Sequence, residues 1–323
     1  MKFTKDILKL DAEKTIEEIT AKIKKQVRQD LKKSGAVIGI SGGIDSSVCA
    51  ALCARALGPE NVLGIMLPEK ESSPDSRNLA QELADQLGIK SMVNNIAPAL
   101  EGFGCYNMRD EAIKNVFPEY SPKTHKNKIT IASNPLEKAA LNFFNVVIED
   151  KNGNIKSKRL PRNEYLQIVA ASNLKQRTRM THLYYHGERL NYAVIGTGQK
   201  DEHELGFFVK YGDGGADLKP IAHLYKLQVF QIAEHLPIPK DIQGRTPTTD
   251  TYSSEVTQTE FFYGSPFEIL DPCWYAMENN IPIKDVAEGL GLTVEQVERV
   301  QKDIQQKIRG TNYLRRAPMH IDE

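Results

Sequence analysis

Apolar residues recur along this chain in two rhythms, and the rhythms alternate. Ile16, Ile19, Ile23, Val27 and Leu31 fall at helical spacing among lysines and glutamates, which predicts an amphipathic helix over 15–33 that packs on a sheet or on a partner chain. Continuous apolar runs at 36–40, 61–67, 89–93 and 192–197 predict short strands buried on both faces. Helices are predicted at 46–57, at 72–87 with Pro74 in its first turn, at 164–186, and at 224–236 with Pro237 and Pro239 behind it. Two more follow at 283–290 and at 293–308, the second opened by Thr293. Strands alternating with helices of this length make an α/β fold, a doubly wound parallel sheet with helices on both faces.

The alternation fails between about 103 and 163. Pro118, Pro122, Pro135 and Pro161 punctuate this stretch, 123–128 is basic and polar, and 139–148 reads as either a helix or a strand. Asp150-Lys151-Asn152-Gly153-Asn154 is a hairpin-turn signal. We expect an excursion with some structure of its own inside a single domain spanning 1–323.

The most informative break comes where the first predicted strand ends. Ser41-Gly42-Gly43-Ile44-Asp45-Ser46-Ser47 joins that strand to the next helix, as a phosphate loop does. Glycines let the backbone approach an anion, while successive N–H groups and the positive helix start attract it. The three hydroxyls add donors, and Asp45 adds a carboxylate suited to a phosphate-bound metal. A tight strand-to-helix turn with a serine cap is the plainer reading of the same residues.

Composition narrows the classes. Lys+Arg 42 against Asp+Glu 42 leaves no net charge, so nothing suggests an electrostatic grip on nucleic acid. Cys49, Cys53, Cys105 and Cys273 form no CxxC pair, and Cys49 and Cys53, four apart on one helix, read as small buried residues. His203, His223 and His235 match no zinc-ligand spacing. Without a signal-like apolar start or a long apolar run, we expect a cytoplasmic protein and no membrane partner.

The loop is not a Walker A sequence, because Asp45 stands where that motif needs lysine. It resembles the pyrophosphate loop of the N-type ATP pyrophosphatases, which cleave ATP between its α and β phosphates. NAD synthetase, GMP synthetase, asparagine synthetase and several tRNA-modifying enzymes share it, and the loop alone does not choose among them. Three later segments do. They are Asn173-Leu174-Lys175-Gln176-Arg177-Thr178-Arg179-Met180, Gly196-Thr197-Gly198-Gln199-Lys200-Asp201-Glu202, and the block from Lys210-Tyr211-Gly212-Asp213 through Asp217-Leu218-Lys219-Pro220-Ile221 to Leu224-Tyr225-Lys226. With the loop, in this order, they resemble the ammonia-dependent NAD synthetases over 15–100 and 164–250, and more loosely over 283–318.

That resemblance implies a Rossmann-like ligase of the ATP pyrophosphatase type. It would amidate deamido-NAD to NAD with free ammonia, through an adenylated carboxylate, releasing AMP and pyrophosphate. It implies ATP contacts at Gly39, Ile40, Ser41, Gly42, Gly43, Ile44, Asp45, Ser46, Thr197, Lys226 and Thr248, with Asp45, Glu202 and Lys226 as catalytic residues. Asp45 and Glu202 match the magnesium positions, and Arg177, Lys210 and Asp217 match positions that hold the dinucleotide. A homodimer is implied as well, with the 15–33 helix as one candidate contact. Taken singly, Arg177 and Arg179 read as a solvated helix face, Lys226 as an exposed lysine, and Glu202 among its acidic neighbours as a hydrated turn. Their shared order joins them into one site.

Two stretches depart from the family's pattern. Tyr313-Leu314-Arg315-Arg316-Ala317-Pro318 lacks the His-Lys pair that often precedes Arg-Arg-x-Pro, and Pro247-Thr248-Thr249-Asp250-Thr251 stands where many members read Pro-Thr-Ala-Asp-Leu. Both lie on the substrate side. They keep open an adenylating amide ligase for another small carboxylic acid, and a nucleotide-binding protein without turnover is a further alternative.

Overall fold

The computed structural model describes residues 3–131, 134–137, 143–249 and 251–321. Its strands are β1 (Gly35–Gly39), β2 (Val62–Met66), β3 (Lys90–Val93), β4 (His125–Ile131), β5 (Phe144–Asp150), β6 (Ile155–Arg159) and β7 (Tyr192–Ile195). Helices in the first half are α1 (Ala12–Lys25), α2 (Ile44–Leu57), α3 (Pro74–Leu87), α4 (Ala97–Gly102), α5 (Cys105–Val116) and α6 (Arg162–Leu190). The second half carries α7 (Lys200–Leu205), α8 (Lys226–Ala233), α9 (Lys240–Gln243), α10 (Phe267–Glu278), α11 (Ile283–Leu290), α12 (Val294–Gly310) and α13 (Asn312–Arg315).

The main sheet runs β3-β2-β1-β7, all parallel. Alternation along β1 assigns its faces. Ala36 and Ile38 pack with α1, α2 and α8, whereas Val37 packs with α4, α5 and the apolar side of α6. This is the doubly wound arrangement that the alternating pattern predicts. Helix starts follow local chemistry: Ser73 caps α3 with Pro74 as its first residue, and Thr293 opens α12 in a capping box with Gln296.

The helix predicted over 15–33 ends sooner. A π turn at Gln26–Asp30 follows α1, and Leu31 is 37% exposed beyond it. Ile16, Ile19, Ile23 and Val27 bury their stripe against α2 inside the chain, so the face offered as a dimer contact is already occupied. Cys49 and Cys53 are fully buried on α2, Cys105 lies in the core of the opposite face, and Cys273 lies on α10.

The 103–163 stretch is more ordered than its prolines suggest. It contains α5 and an antiparallel sheet β4-β5-β6, in which Asp150 accepts from Asn152 and Asn154 to close the hairpin. Residues 138–142 of the ambiguous 139–148 segment lie outside the described residues, and Phe144–Asp150 is strand. Val146 and Ile148 of β5 share a core with Ile168 of α6 and with Tyr252 and Val256. A buried ion network adds a second tie: Lys175 of α6 donates to Glu69, Glu71 and the Thr251 carbonyl, and Arg109 of α5 pairs with Glu71 and Asp110. α10 was not legible in the sequence, since Pro272 sits inside it, yet it buries Leu270, Cys273 and Trp274.

Ile65 has no exposed surface in the core beneath α4 and α6. Ile65→Ala is therefore expected to cost about 2–5 kcal/mol, read as a lower urea midpoint at unchanged slope.

Candidate functional site

Strand order places a switch between β1 and β7. The chain leaves β1 toward β2 on one side, and β7 lies on the other, so the loops after the two strands part and open a crevice at their carboxyl ends. A cavity of about 780 Å³ occupies this crevice. The loop after β1 holds its own shape: Ser46 Oγ donates to the Gly43 carbonyl at 3.0 Å, and Gly43 N donates to Ser41 Oγ at 3.3 Å. Gly42 has φ +73°, and a Cβ there would lie 2.5 Å from the Ser76 carbonyl oxygen, so only glycine fits. α2 then begins at Ile44 with no capping side chain, which leaves its first N–H groups for an anion.

Lys226 begins α8 and has no exposed surface. Its Nζ lies 2.5 Å from Asp45 Oδ2 at the start of α2, so a buried ion pair joins two helix N-termini across the crevice. Helix α8 is itself fixed by carboxylates. Asp201 Oδ2 accepts from Lys226 N at 3.1 Å, and Asp271 Oδ2 of α10 accepts from Leu227 N at 2.9 Å. Burial drives both carboxyls upward, Asp201 to about 7 and Asp271 well above the ordinary carboxylate range, the latter also through the charge of Asp201. Glu202, half-buried and touched by Gln258 Nε2 at 3.4 Å, is raised well above the ordinary carboxylate range by burial and then by the neighbouring Asp45 charge.

Most residues singled out from the sequence meet here. Gly39, Ile40, Ser41, Gly43, Ile44, Asp45, Ser46, Thr197, Glu202, Lys226, Thr248, Arg177 and Lys210 all line the cavity. Gly42 does not line it and acts through backbone shape. Asp217 does not line it either: its carboxylate accepts from Val194 N at 2.8 Å and from the Tyr184 hydroxyl at 3.1 Å, fastening the glycine block to β7. Lys210 lines the wall, but its ammonium donates to the carbonyls of Tyr313 and Arg316, so it draws the carboxyl-terminal segment to the rim. Asp250 lies outside the described residues. Sequence reasoning missed Asp271 and Arg245, the latter lining the cavity and donating to Ser76 Oγ at 3.1 Å. Neither stands in a motif, and only the tertiary fold gives them a partner.

The family model described as NAD synthase matches residues 15–116 and 109–318. The chain belongs to the NAD synthase family. It is 45% identical over 316 residues to the NH(3)-dependent NAD(+) synthetase of Rhizobium rhizogenes (strain K84), covering 98% of this chain and 95% of that one. Among solved structures it resembles the NMN synthetase from Francisella tularensis, with TM-score 0.65, 20% identity and coverage of 97% and 100%. It also resembles the NH3-dependent NAD synthetase from Campylobacter jejuni, with TM-score 0.59, 21% identity and coverage of 97% and 100%. At these identities the two structures speak for the fold.

The residues of this NAD synthase family member fit a magnesium ion. Asp45 Oδ1 is buried with no hydrogen-bond partner, and the charge of Asp45 bears on Glu202. No group of three His, Cys, Asp or Glu side chains suited to a metal occurs among the described residues. Two carboxylates without an all-protein cage are what magnesium uses when phosphate oxygens and water complete its shell.

The acid pair beneath Lys226 sets a pH dependence. A carboxyl raised in the folded state binds more protons there than in the unfolded chain, so its contribution to stability falls as pH rises from about 4 to about 7. Asp271→Asn keeps an acceptor for Leu227 and removes the carboxyl whose charge bears on Asp201. Urea midpoints of this variant are expected to decline less than those of the wild type between about pH 5 and about pH 8.

Proposed function

We infer that the chain catalyses ATP-dependent amidation of deamido-NAD to NAD with ammonia as the nitrogen source. The observation that carries this reading is the convergence of Asp45, Lys226 and Glu202 beside an uncapped helix start, at the crevice of a chain 45% identical to a named NH(3)-dependent NAD(+) synthetase over nearly its whole length. An oxygen of the nicotinate carboxylate attacks the α-phosphorus, and the bond from that phosphorus to the β-phosphate bridging oxygen breaks. Pyrophosphate takes the electron pair. Ammonia then attacks the acyl carbon, the carbon–oxygen bond to AMP breaks, and nitrogen loses a proton.

In this reading the protein contributes position and charge rather than a covalent nucleophile. The N–H groups at the start of α2, with the Ser41 and Ser46 hydroxyls, hold the leaving pyrophosphate, and Lys226 neutralises it from a dry position. Asp45 and Glu202 hold magnesium, which supplies charge neutralisation on the phosphates. Thr197 and Thr248 line the ATP side, and Arg177 lines the dinucleotide side. The 103–163 excursion belongs to the same single domain, supported by the core it shares with α6. We place the protein in the cytoplasm, with four free buried thiols in keeping, and no described helix is long and apolar enough to cross a membrane. We propose a homodimer on the family resemblance, with a contact other than α1; a monomer mass in analytical ultracentrifugation would sink that part.

Purified protein with magnesium-ATP, ammonia and deamido-NAD is expected to form NAD and AMP in equal amounts. Turnover of a different acid alone would favour the rival ligase. Asp45→Asn should lower AMP formation at least ~100-fold. Because Lys226 then keeps its burial without a counter-charge, the variant should also lose about 3–5 kcal/mol of stability while retaining its far-UV circular dichroism.

A further inference from the structure

We propose that the 103–163 excursion clamps the strap at 247–258, and that Asn127 of β4 is a positioning residue for the reaction. Through Ser253 it holds Thr248 and Gln258, at the two ends of the strap, on the site. The proposal rests on the reading of the site given above, with Thr248 on the ATP side.

The strap closes on itself at its neck. Thr249 N donates to the Val256 carbonyl at 2.9 Å, Gln258 N donates to the Pro247 carbonyl at 3.0 Å, and Thr248 pairs antiparallel with Thr257. This neck brings Thr248 and Gln258 to the cavity together, and Gln258 Nε2 meets Glu202 there. So short a ladder is marginal on its own in water. The strap therefore needs something outside itself to keep its two ends in place.

The excursion supplies it. Asn127 lies on the same face of β4 as Ile129, which belongs to the apolar core with Val146 and Val256. A buried amide at such a position needs partners, and Asn127 finds them on the strap. Its backbone N donates to Ser253 Oγ at 2.8 Å, its Nδ2 donates to the same oxygen at 3.1 Å, and its carbonyl accepts from Ser254 N at 3.0 Å. Beside it, Lys128 Nζ donates to the Glu255 carbonyl at 3.1 Å. Tyr252 and Val256 bury their side chains in the excursion's core.

A second hold returns to the strap by another route. Asn127 Nδ2 also donates to the Tyr120 hydroxyl at 2.9 Å, and that hydroxyl donates to Asp110 at 3.2 Å. Arg109 bridges Asp110 to Glu71, and Lys175 donates to Glu71 and, at 2.8 Å, to the Thr251 carbonyl. The polar chain thus leaves the strap at Ser253 and rejoins it at Thr251. Arg109, Asp110, Tyr120, Asn127 and Lys175 are all buried, so a partner lost along it leaves an unsatisfied polar group out of water. None of these lines the cavity, whereas Thr248, Thr251 and Gln258 do. Their bearing on the reaction therefore runs through the strap.

Two variants test the clamp. Asn127→Ala removes its amide, and Ser253→Ala removes the acceptor on the strap while leaving the excursion's own contacts whole, so it carries the test if the first does not fold. In either variant the strap is in place for only part of the time, and bound ATP, through Thr248, draws it back. The KM for ATP is therefore expected to rise roughly 10-fold, with kcat within about twofold of the wild type. Hydrogen exchange of the 251–258 amides should quicken in the free protein, and that of the β5 amides should not. Ser253→Thr, which keeps the hydroxyl, should retain the wild-type KM. A fall in kcat at unchanged KM, the mark of a smaller folded fraction, would overturn the proposal. Unchanged exchange in the strap, or faster exchange with both constants unmoved, would overturn it equally. Absence of NAD formation by the wild type would remove the reading of the site and with it Asn127's part in the reaction, and the exchange comparison would still decide whether the excursion holds the strap.

Discussion

A lysine ammonium with no exposed surface must have an anion beside it, and Lys226 has Asp45. Much of the site's arrangement follows from that one need. Asp45 begins α2 and Lys226 begins α8, so the pair fixes how the two helices meet at the sheet's carboxyl edge. Asp201 and Asp271 take the first N–H groups of α8 and keep its lysine from withdrawing. The helix start at α2 has no side-chain cap, and the asymmetry is chemical: one N-terminus is closed by protein carboxylates, the other is left uncapped.

A second, separate set of charges ties the excursion to this edge. Glu69 and Glu71 lie just after β2, Lys175 and Arg109 reach them from α6 and α5, and the Thr251 carbonyl joins the same ammonium. The 251–253 segment also meets β4, where Asn127 N donates to Ser253 Oγ at 2.8 Å. The chain beyond Thr248 is thus held between the excursion and the sheet. Gln258, further along it, reaches Glu202. Position at the carboxylates depends on residues distant in sequence and in fold.

What was legible in the sequence divides along physical lines. The strands at 36–40, 61–67, 89–93 and 192–197 stood out because a strand buried on both faces needs an unbroken apolar run. Their neighbouring helices stood out because Ser73-Pro74 and Thr293 mark helix starts locally. Lys226 and Glu202 resisted reading as single residues, since a lysine near a helix start and a glutamate in an acidic turn are ordinary surface features. Only the fold shows one of them fully buried and the other facing Asp45. α5, β4 and α10 were obscured by Pro118, Pro122 and Pro272, whose tolerated positions depend on tertiary contacts. Asp217, which the resemblance assigns to the substrate, accepts from Val194 N and Tyr184, a partnership between segments 23 and 33 residues apart that no motif announces.

The four thiols are distributed over the cores. Cys49 and Cys53 lie on α2 in the core it shares with α1 and α8, Cys105 lies in the core on the opposite face of the sheet, and Cys273 lies in the core of the carboxyl-terminal helices. Burial pushes Cys53 and Cys273 up to about 12 and raises Cys49 and Cys105 as well, so none is a nucleophile while its core stays closed. Thiolate chemistry therefore requires that the local core open first, and the order in which an alkylating reagent finds these cysteines is a record of which layer of the molecule breathes most readily.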